Sequence, residues 1–504
     1  MFDLLIIGGG INGTAIAREA ALNGLSVMLV ERDDLASHTS SASTKLIHGG
    51  LRYLEYYEFG LVREALQERE RMLRVAPHLI YPMHFVLPHE NAVRPWWLVR
   101  LGLLLYDNIG GPITLPHSRS LRKSDVNYLQ PLRRPSRGFV YSDAWVDDAR
   151  LVVLNAIDAA RHGAMIVTQT AMLSARRAAN MWEATLSDGR TVQASTMINA
   201  AGPWVAQALA LTGANTSSGV RLIKGSHIVV PKIFDGDQAY MLQQPDKRVV
   251  FAIAYANDTT LIGTTDIPVE RPEDAQTTPD EIDYLCQAAN HFFVKQINPD
   301  DVVRTFSGVR PLYDDGASEA KAVTRDYVLE LDTAGAPLLS VFGGKITTAR
   351  HLAEEAVGKL AHAVGWQVSR VTRNAAFPGG DIGAFAPFLA EIRVRYRFLG
   401  EARSLRMARA YGSMLVDMIG ASVKQATDLG EDFGAGLTQV EVDWMVSHEW
   451  AHSVEDVIWR RSKLGLAMTE AQIARLANYL VEKNSEISAC GRSGDHVVAG
   501  DPVR

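Results

Sequence analysis

The chain has 504 residues, a net charge of −6 and two cysteines. That length exceeds what one hydrophobic core organises and predicts two or three domains. Basic and acidic residues are mixed throughout, which argues against a nucleic-acid-binding protein. Cys286 and Cys490 alone argue against a disulfide framework and fit a reducing, cytoplasmic setting. An apolar run begins almost at Met1, leaving no room for a cleavable signal, and no uninterrupted apolar stretch is long enough to span a bilayer.

That first run, Leu4-Leu5-Ile6-Ile7, enters Gly8-Gly9-Gly10-Ile11-Asn12-Gly13 and leads through a helical stretch to a second apolar strand ending at Glu31. Gly8 permits a tight turn, Gly10 a close approach of backbone to a pyrophosphate, and Gly13 close packing of helix on strand. Glu31 stands where a carboxylate accepts hydrogen bonds from a ribose. The context completes the motif: Ile11, Ala15 and Ile16 give the helix an apolar face, and Gly24 sits at its C-terminal end. This is a dinucleotide-binding βαβ unit. The motif alone leaves NAD and FAD both open.

A polar loop follows, with the hydroxyl-rich run Thr39 to Thr44, and then a helix over 60–75. Residues 77–135, rich in proline and aromatics, read as irregular. A helix over 147–161 precedes three short strands, with Ser187-Asp188-Gly189 as a hairpin turn, and the third strand runs into Asn199-Ala200-Ala201-Gly202-Pro203-Trp204. Residues 219–318 read as an antiparallel layer, with strands over 221–231, 248–255 and 259–264, a turn at Asn257-Asp258 and one helix over 279–297. The last strand of this kind, 338–342, opens through Gly343-Gly344-Lys345 into a helix reaching about 364, and from about 378 the chain is helical. The expected organisation is α/β: a nucleotide-binding domain in pieces (1–75, 140–215, 320–378), an interleaved substrate domain (76–139, 216–319) and a helical C-terminal domain (379–504).

Long ordered stretches carry a resemblance. They are SSASTKLIHGGLRYLE from Ser40, YSDAWVDDARLV from Tyr141, INAAGPWV from Ile198, RLIKGSHIVVP from Arg221, GTTD from Gly263, SGVRPL from Ser307 and LLSVFGGKITTAR from Leu338. Through them the chain resembles the FAD-dependent glycerol-3-phosphate dehydrogenases over nearly its whole length. The resemblance implies a glutathione-reductase-like FAD-binding fold and FAD rather than NAD. It also implies oxidation of glycerol 3-phosphate to dihydroxyacetone phosphate by hydride transfer from C2. Electrons would pass to quinone, with the enzyme a homodimer held peripherally on the inner face of the cytoplasmic membrane. The cofactor would be held by Gly8, Gly10, Gly13, Glu31, Ser40, Ser41, Ser43, Lys45, His48, Gly49, Asn199, Gly202, Gly343, Gly344, Lys345 and Thr347. The substrate would meet Arg52, Tyr53, Arg310, Arg325 and Lys345, since planar guanidinium groups suit a phosphate, with Lys224 a weaker candidate. His227, Lys345 and Arg310 would carry the chemistry. The identity of the base among His48, His227 and Lys345 stays open, because a histidine titrates near neutrality unaided and a lysine needs its pKa lowered.

Two segments invite other readings. Residues 96–106, apolar with aromatics at both ends and near Arg94 and Arg100, suit either a helix lying in a membrane interface or one buried between domains. His448-Glu449-Trp450-Ala451-His452 matches the zinc-protease pattern HExxH, but no further motif supplies a third ligand and no metal is expected. An oxygen-using oxidase and a flavin-free partner-binding protein are the remaining rivals. The C-terminal segments 439–450 and 470–482 either cap the flavin domain or support dimerisation, and the chain is expected to fray from about 485.

Overall fold

The structure, a computed structural model, describes residues 1–490 apart from 91–93, 136, 215–218, 257 and 315–325, with 487–490 described by backbone alone. Two sheets organise it. In the first, β1 (Phe2–Ile7) lies between β2 (Val27–Val30) and the strand Thr191–Asn199, parallel to both, with Leu338–Phe342 and Met165–Val167 extending the parallel set. Leu4 and Ile6 face α1 (Ile11–Leu22) and the helices Asp148–Arg161 and Ala349–Val364. Leu5 and Ile7 face the opposite way, into a core with Trp182 of the hairpin Met172–Leu186. Both faces are covered, which is why β1 reads as an unbroken apolar run rather than an alternating one.

The second sheet has ten strands and is mainly antiparallel. Its longest ladder pairs Gly219–Pro231 with Arg304–Asp314 in eleven registered positions, placing His227 opposite Phe306 and Arg310 opposite Ile223. The helix Pro279–Phe292 packs on this sheet, shorter than the expected 279–297, and its Thr278 side chain forms a capping box with Glu281.

Several expectations change. The stretch 77–135 is not irregular throughout: besides the helix expected over 96–106, which runs Trp96–Ile109, it holds the nine-residue strand Ile80–Pro88. Pro82 and Pro88 hide that strand from a sequence reading. On one side the strand pairs with its neighbour only at Phe85 and Val86, leaving both prolines outside that ladder. The boundary expected at 140 falls inside the strand Gly138–Val146, which pairs with Ile80–Pro88 in the second sheet. Leu46–Ile47 joins the same sheet, so the loop after β2 crosses from one sheet to the other. The turn expected at Asn257-Asp258 lies partly outside the described residues. The last helix, Glu470–Cys490, continues past 485 instead of fraying there.

Candidate active site

The site begins where β1 runs into α1. Gly8 sits at φ +113°, and a Cβ on Gly13 would fall 1.9 Å from the Gly8 carbonyl oxygen, so glycine alone lets the helix cross the turn this closely. Glu31, buried at the end of β2, accepts from the amides of Gly9 (2.6 Å) and Asp33 (2.9 Å). Burial pushes its carboxyl above the ordinary range while those two amides oppose the shift. Two bonds still leave it lone pairs for ribose hydroxyls. From Glu31 a cleft runs past Gly8, Gly10, Ser40 and Gly202 to Gly343 and Gly344. Asn12 ties its ends together, donating from Nδ2 to the Gly343 carbonyl at 3.0 Å and leaving its buried Oδ1 without a partner. The long cleft, the first-turn amides of α1 and the carboxylate at one end fit an extended dinucleotide with its pyrophosphate at the helix N-terminus.

Some residues on this cleft had no role in the sequence reading. The Arg32 guanidinium stacks on Trp204 at 4.1 Å and His38 packs against the same ring at 4.5 Å, walling the Glu31 end. The available signal was Trp204, which closes the INAAGPW stretch. Other residues turn away from the roles implied for them. Ser43 Oγ donates to Asp148 at 2.7 Å, and the buried Lys45 ammonium donates to both Asp148 oxygens (2.9 and 2.8 Å) and to the Ser41 carbonyl. Their side chains fasten the loop to the helix Asp148–Arg161 and are not offered to a cofactor. Asn199 likewise spends its side chain on its own turn, bonding Val205 O and Ala201 N. Ser40 Oγ accepts from the Ile11 amide at 2.9 Å, and Ser41 Oγ donates to His38 O.

The far end of the cleft is assembled from distant segments. The His48 amide donates to Thr347 Oγ1 at 3.3 Å, His48 Nδ1 accepts from the Gly50 amide at 3.2 Å, and the Gly49 amide donates to the Tyr106 hydroxyl at 2.8 Å. Burial, with the Lys345 and Arg69 charges, holds the His48 pKa below the usual histidine value. The Lys345 ammonium lies 4.1 Å from the centre of the Tyr53 ring. Arg52 and Lys345 are half-buried, and neither has a carboxylate within 4 Å among the described residues. Arg310 is half-exposed, donating to Thr265 O at 3.2 Å with Asp266 at 3.5 Å. Lys224 is different: buried and paired with Glu281 at 2.8 Å, it leaves the set of candidate phosphate ligands. Arg325 lies outside the described residues.

His227 is buried and stacks on Phe306 at 5.0 Å; its Nε2 is 3.0 Å from Thr44 Oγ1 and its Nδ1 has no partner among the described residues. A Cβ on Gly263 would fall 2.1 Å from the imidazole, so that glycine makes room for the ring. Burial first, then the Lys45 and Arg310 charges, pushes its pKa down to about 3, so the imidazole is neutral. The arrangement offers a neutral proton acceptor among cations, which suits an anionic alcohol substrate.

Comparison with known proteins agrees. The family of FAD-dependent oxidoreductases matches residues 3–350, and the C-terminal domain of alpha-glycerophosphate oxidase matches 370–482. A glycerol-3-phosphate dehydrogenase of Pseudomonas aeruginosa is 48% identical over 95% of this chain and 95% of its own length. The chain belongs to the FAD-dependent glycerol-3-phosphate dehydrogenase family. A D-erythritol 1-phosphate dehydrogenase of Brucella abortus is similarly close, 49% identical over 96% of this chain and 98% of its own. The FAD-complexed glycerol-3-phosphate dehydrogenase from Bacillus halodurans superposes with a TM-score of 0.73 at 26% identity, covering 96% of this chain and 94% of that one. FAD is the cofactor.

In this family member the HExxH segment is architecture. Its helix, Gln439–His448, ends at the first histidine, so the two histidines do not share a helical face. His448 stacks on Trp444 at 4.0 Å, and the fully buried Glu449 carboxylate pairs with Arg150. Arg461 donates to the Glu449 carbonyl and, with Arg460, to Asp34 just beyond Glu31. The C-terminal domain thus grips the loop at the adenosine end of the cleft.

Proposed function

We propose that this enzyme oxidises sn-glycerol 3-phosphate at C2 to dihydroxyacetone phosphate and passes the electrons to a membrane quinone. The observation that carries the reading is the buried neutral imidazole of His227, acted on by the Arg310 charge, in a chain whose Arg52 and Lys345 have no carboxylate within 4 Å among the described residues. Bound FAD supplies the hydride acceptor. Arg52 and Arg310 would hold the phosphate, with Tyr53 beside it. His227 would take the C2 hydroxyl proton. Its depressed pKa makes it a poor base in the empty site, and a phosphate dianion placed among the neighbouring cations offsets their effect on it. Lys345, at the helix opened by Gly343-Gly344, would offset the negative charge that accompanies reduction.

A four-carbon polyol phosphate is the second reading, favoured by the equal identity to the Brucella abortus protein. Anaerobic bleaching of the flavin by glycerol 3-phosphate and by D-erythritol 1-phosphate, compared at equal concentration, ranks the two. No bleaching by either at millimolar concentration overturns the proposal, and peroxide formed in step with substrate use makes the enzyme an oxidase.

The membrane part of the proposal rests on the helix Trp96–Ile109. Its inner side is buried through Leu103 and Tyr106, while Trp97 is 64% exposed and Leu101 56%, beside exposed Trp96, Leu104 and Leu105. It packs next to the turn bearing Tyr56 and Tyr57, the latter 80% exposed. No described helix is long and apolar enough to cross a membrane. This apolar face, with Arg94 at its edge, suits a lipid interface on the inner side of the cytoplasmic membrane. Cosedimentation with anionic vesicles, lost in Trp97→Ser/Leu101→Ser, tests it, and light scattering tests the homodimer that belongs to the same reading.

A further inference from the structure

Two helices, a strand and a turn meet at one phenol that the reaction scheme leaves unused. Label the helix Phe59–Val75 α2 and the helix Trp96–Ile109 α3. Tyr106, on the inner side of α3, is 1% exposed, and its hydroxyl lies 2.9 and 2.8 Å from the two Asp143 oxygens and 2.8 Å from the Gly49 amide. Asp143 is paired at 2.7 Å with Arg69 of α2, both buried, and Arg69 also donates to Ser142 O at 3.0 Å. An ionised carboxylate can only accept, so the phenol donates to Asp143 and keeps a lone pair for the Gly49 amide. Gly49 has no room to shift toward its neighbours: a Cβ there would fall 2.5 Å from Leu66 and 2.8 Å from the Tyr106 hydroxyl. The segment on either side of this amide carries the site. His48 precedes it, bonded to Thr347, and Gly50, Arg52 and Tyr53 follow, with a Cβ on Gly50 only 2.4 Å from the Tyr53 ring.

We propose that Tyr106 is a positioning residue: its hydroxyl, oriented by the buried Asp143–Arg69 pair, fixes the Gly49 amide and through it the turn that presents Arg52 and Tyr53 to the substrate. The turn lacks ladder or helical bonds at this amide, so the phenol is what satisfies it. The substrate part of the inference rests on the polyol-phosphate reading above, while the clamp on the turn does not.

Tyr106→Phe keeps the ring and removes the one oxygen. In the FAD-loaded protein, hydrogen exchange over 46–56 is expected to speed up about tenfold, the size expected from one lost buried hydrogen bond. In anaerobic stopped flow, the apparent dissociation constant for glycerol 3-phosphate rises by about the same factor, with the limiting rate of flavin reduction within about threefold of wild type. Flavin content and reduction by dithionite stay at wild-type levels. Exchange at the wild-type rate overturns the proposal, and so does faster exchange with substrate affinity within about twofold of wild type. A wild-type protein that neither polyol phosphate reduces counts against the proposed function alone, and the exchange arm then decides the clamp.

Discussion

The two ends of the cleft bind by different means. At the adenosine end the work is done by backbone: a glycine turn, the first amides of α1 and one carboxylate already fixed by the Gly9 and Asp33 amides. At the far end distant segments meet through side chains: the His48 amide donates to Thr347, the Lys345 ammonium lies over the Tyr53 ring, and in the proposed function Arg52, His227, Arg310 and Lys345 would serve the substrate. The same contrast separates two kinds of cation. Lys45, Lys224, Arg150 and Arg461 are buried with carboxylates and hold segments together, whereas Arg52 and Lys345 have no carboxylate within 4 Å among the described residues. A cation in this protein is informative about ligand when its charge is not already spent, because a buried pair has little left to offer and much to lose if broken.

Four substitutions or conditions test that division. His227→Asn should have the largest effect, lowering the rate of flavin reduction by about 10²- to 10⁴-fold with FAD still bound, the loss expected when a proton acceptor is removed. Rapid-reaction spectroscopy reads it, and a change below tenfold would remove His227 from the role of base. Lys45→Met should strand Asp148 and cost about 3–5 kcal/mol of stability in denaturant titration, while the folded fraction keeps a normal flavin spectrum. Loss of flavin without loss of stability would return Lys45 to the cofactor's ligands. Arg52→Ala should raise KM about 10- to 100-fold through loss of charge-assisted bonds worth about 1.5–3 kcal/mol, with stability nearly unchanged. The opposite pattern would place Arg52 among the structural cations.

The smallest effect concerns pH. Burial alone would raise the Glu281 carboxyl, but bonds from Lys224, Thr278, Thr265 and Ser226 hold it at about 2. Its native pKa lies below the ordinary 4.5, so its contribution to stability is fully present above 4.5 and is lost as pH falls from there toward 2. Glu281→Gln should flatten that acid limb of the stability profile and lower stability at neutral pH by leaving Lys224 unpaired. An unchanged acid limb would mean that the pair is not what holds this carboxyl ionised.

Much of this was legible in the sequence where the cause is local. The turn of Gly8, Gly10 and Gly13, the helix after it and Glu31 follow from backbone geometry within thirty-one residues, and so does the capped helix beginning near Pro279. The strand Ile80–Pro88 was not legible, because its prolines forbid it by local rule and only partial pairing on one side permits them. Ser43, Lys45 and Asn199 stood inside the right motifs with the wrong orientation, since motif position does not reveal that Asp148 or Val205 takes the side chain. The HExxH segment matches a zinc pattern in spacing alone, and spacing along the chain is shared by helices that continue and helices that stop at His448.

The sequence by itself determined the nucleotide-binding unit and the inventory of cations and histidines, because these depend on residue type at short spacing, while the family came through resemblance of long ordered stretches. Only the tertiary structure decided which cations are spent on buried carboxylates and which face of the helix Trp96–Ile109 is open. It also revealed that Tyr106 holds the Gly49 amide. These depend on partners far away in the chain, and a partner's distance is set by how the two sheets and their helices pack, which no local pattern records.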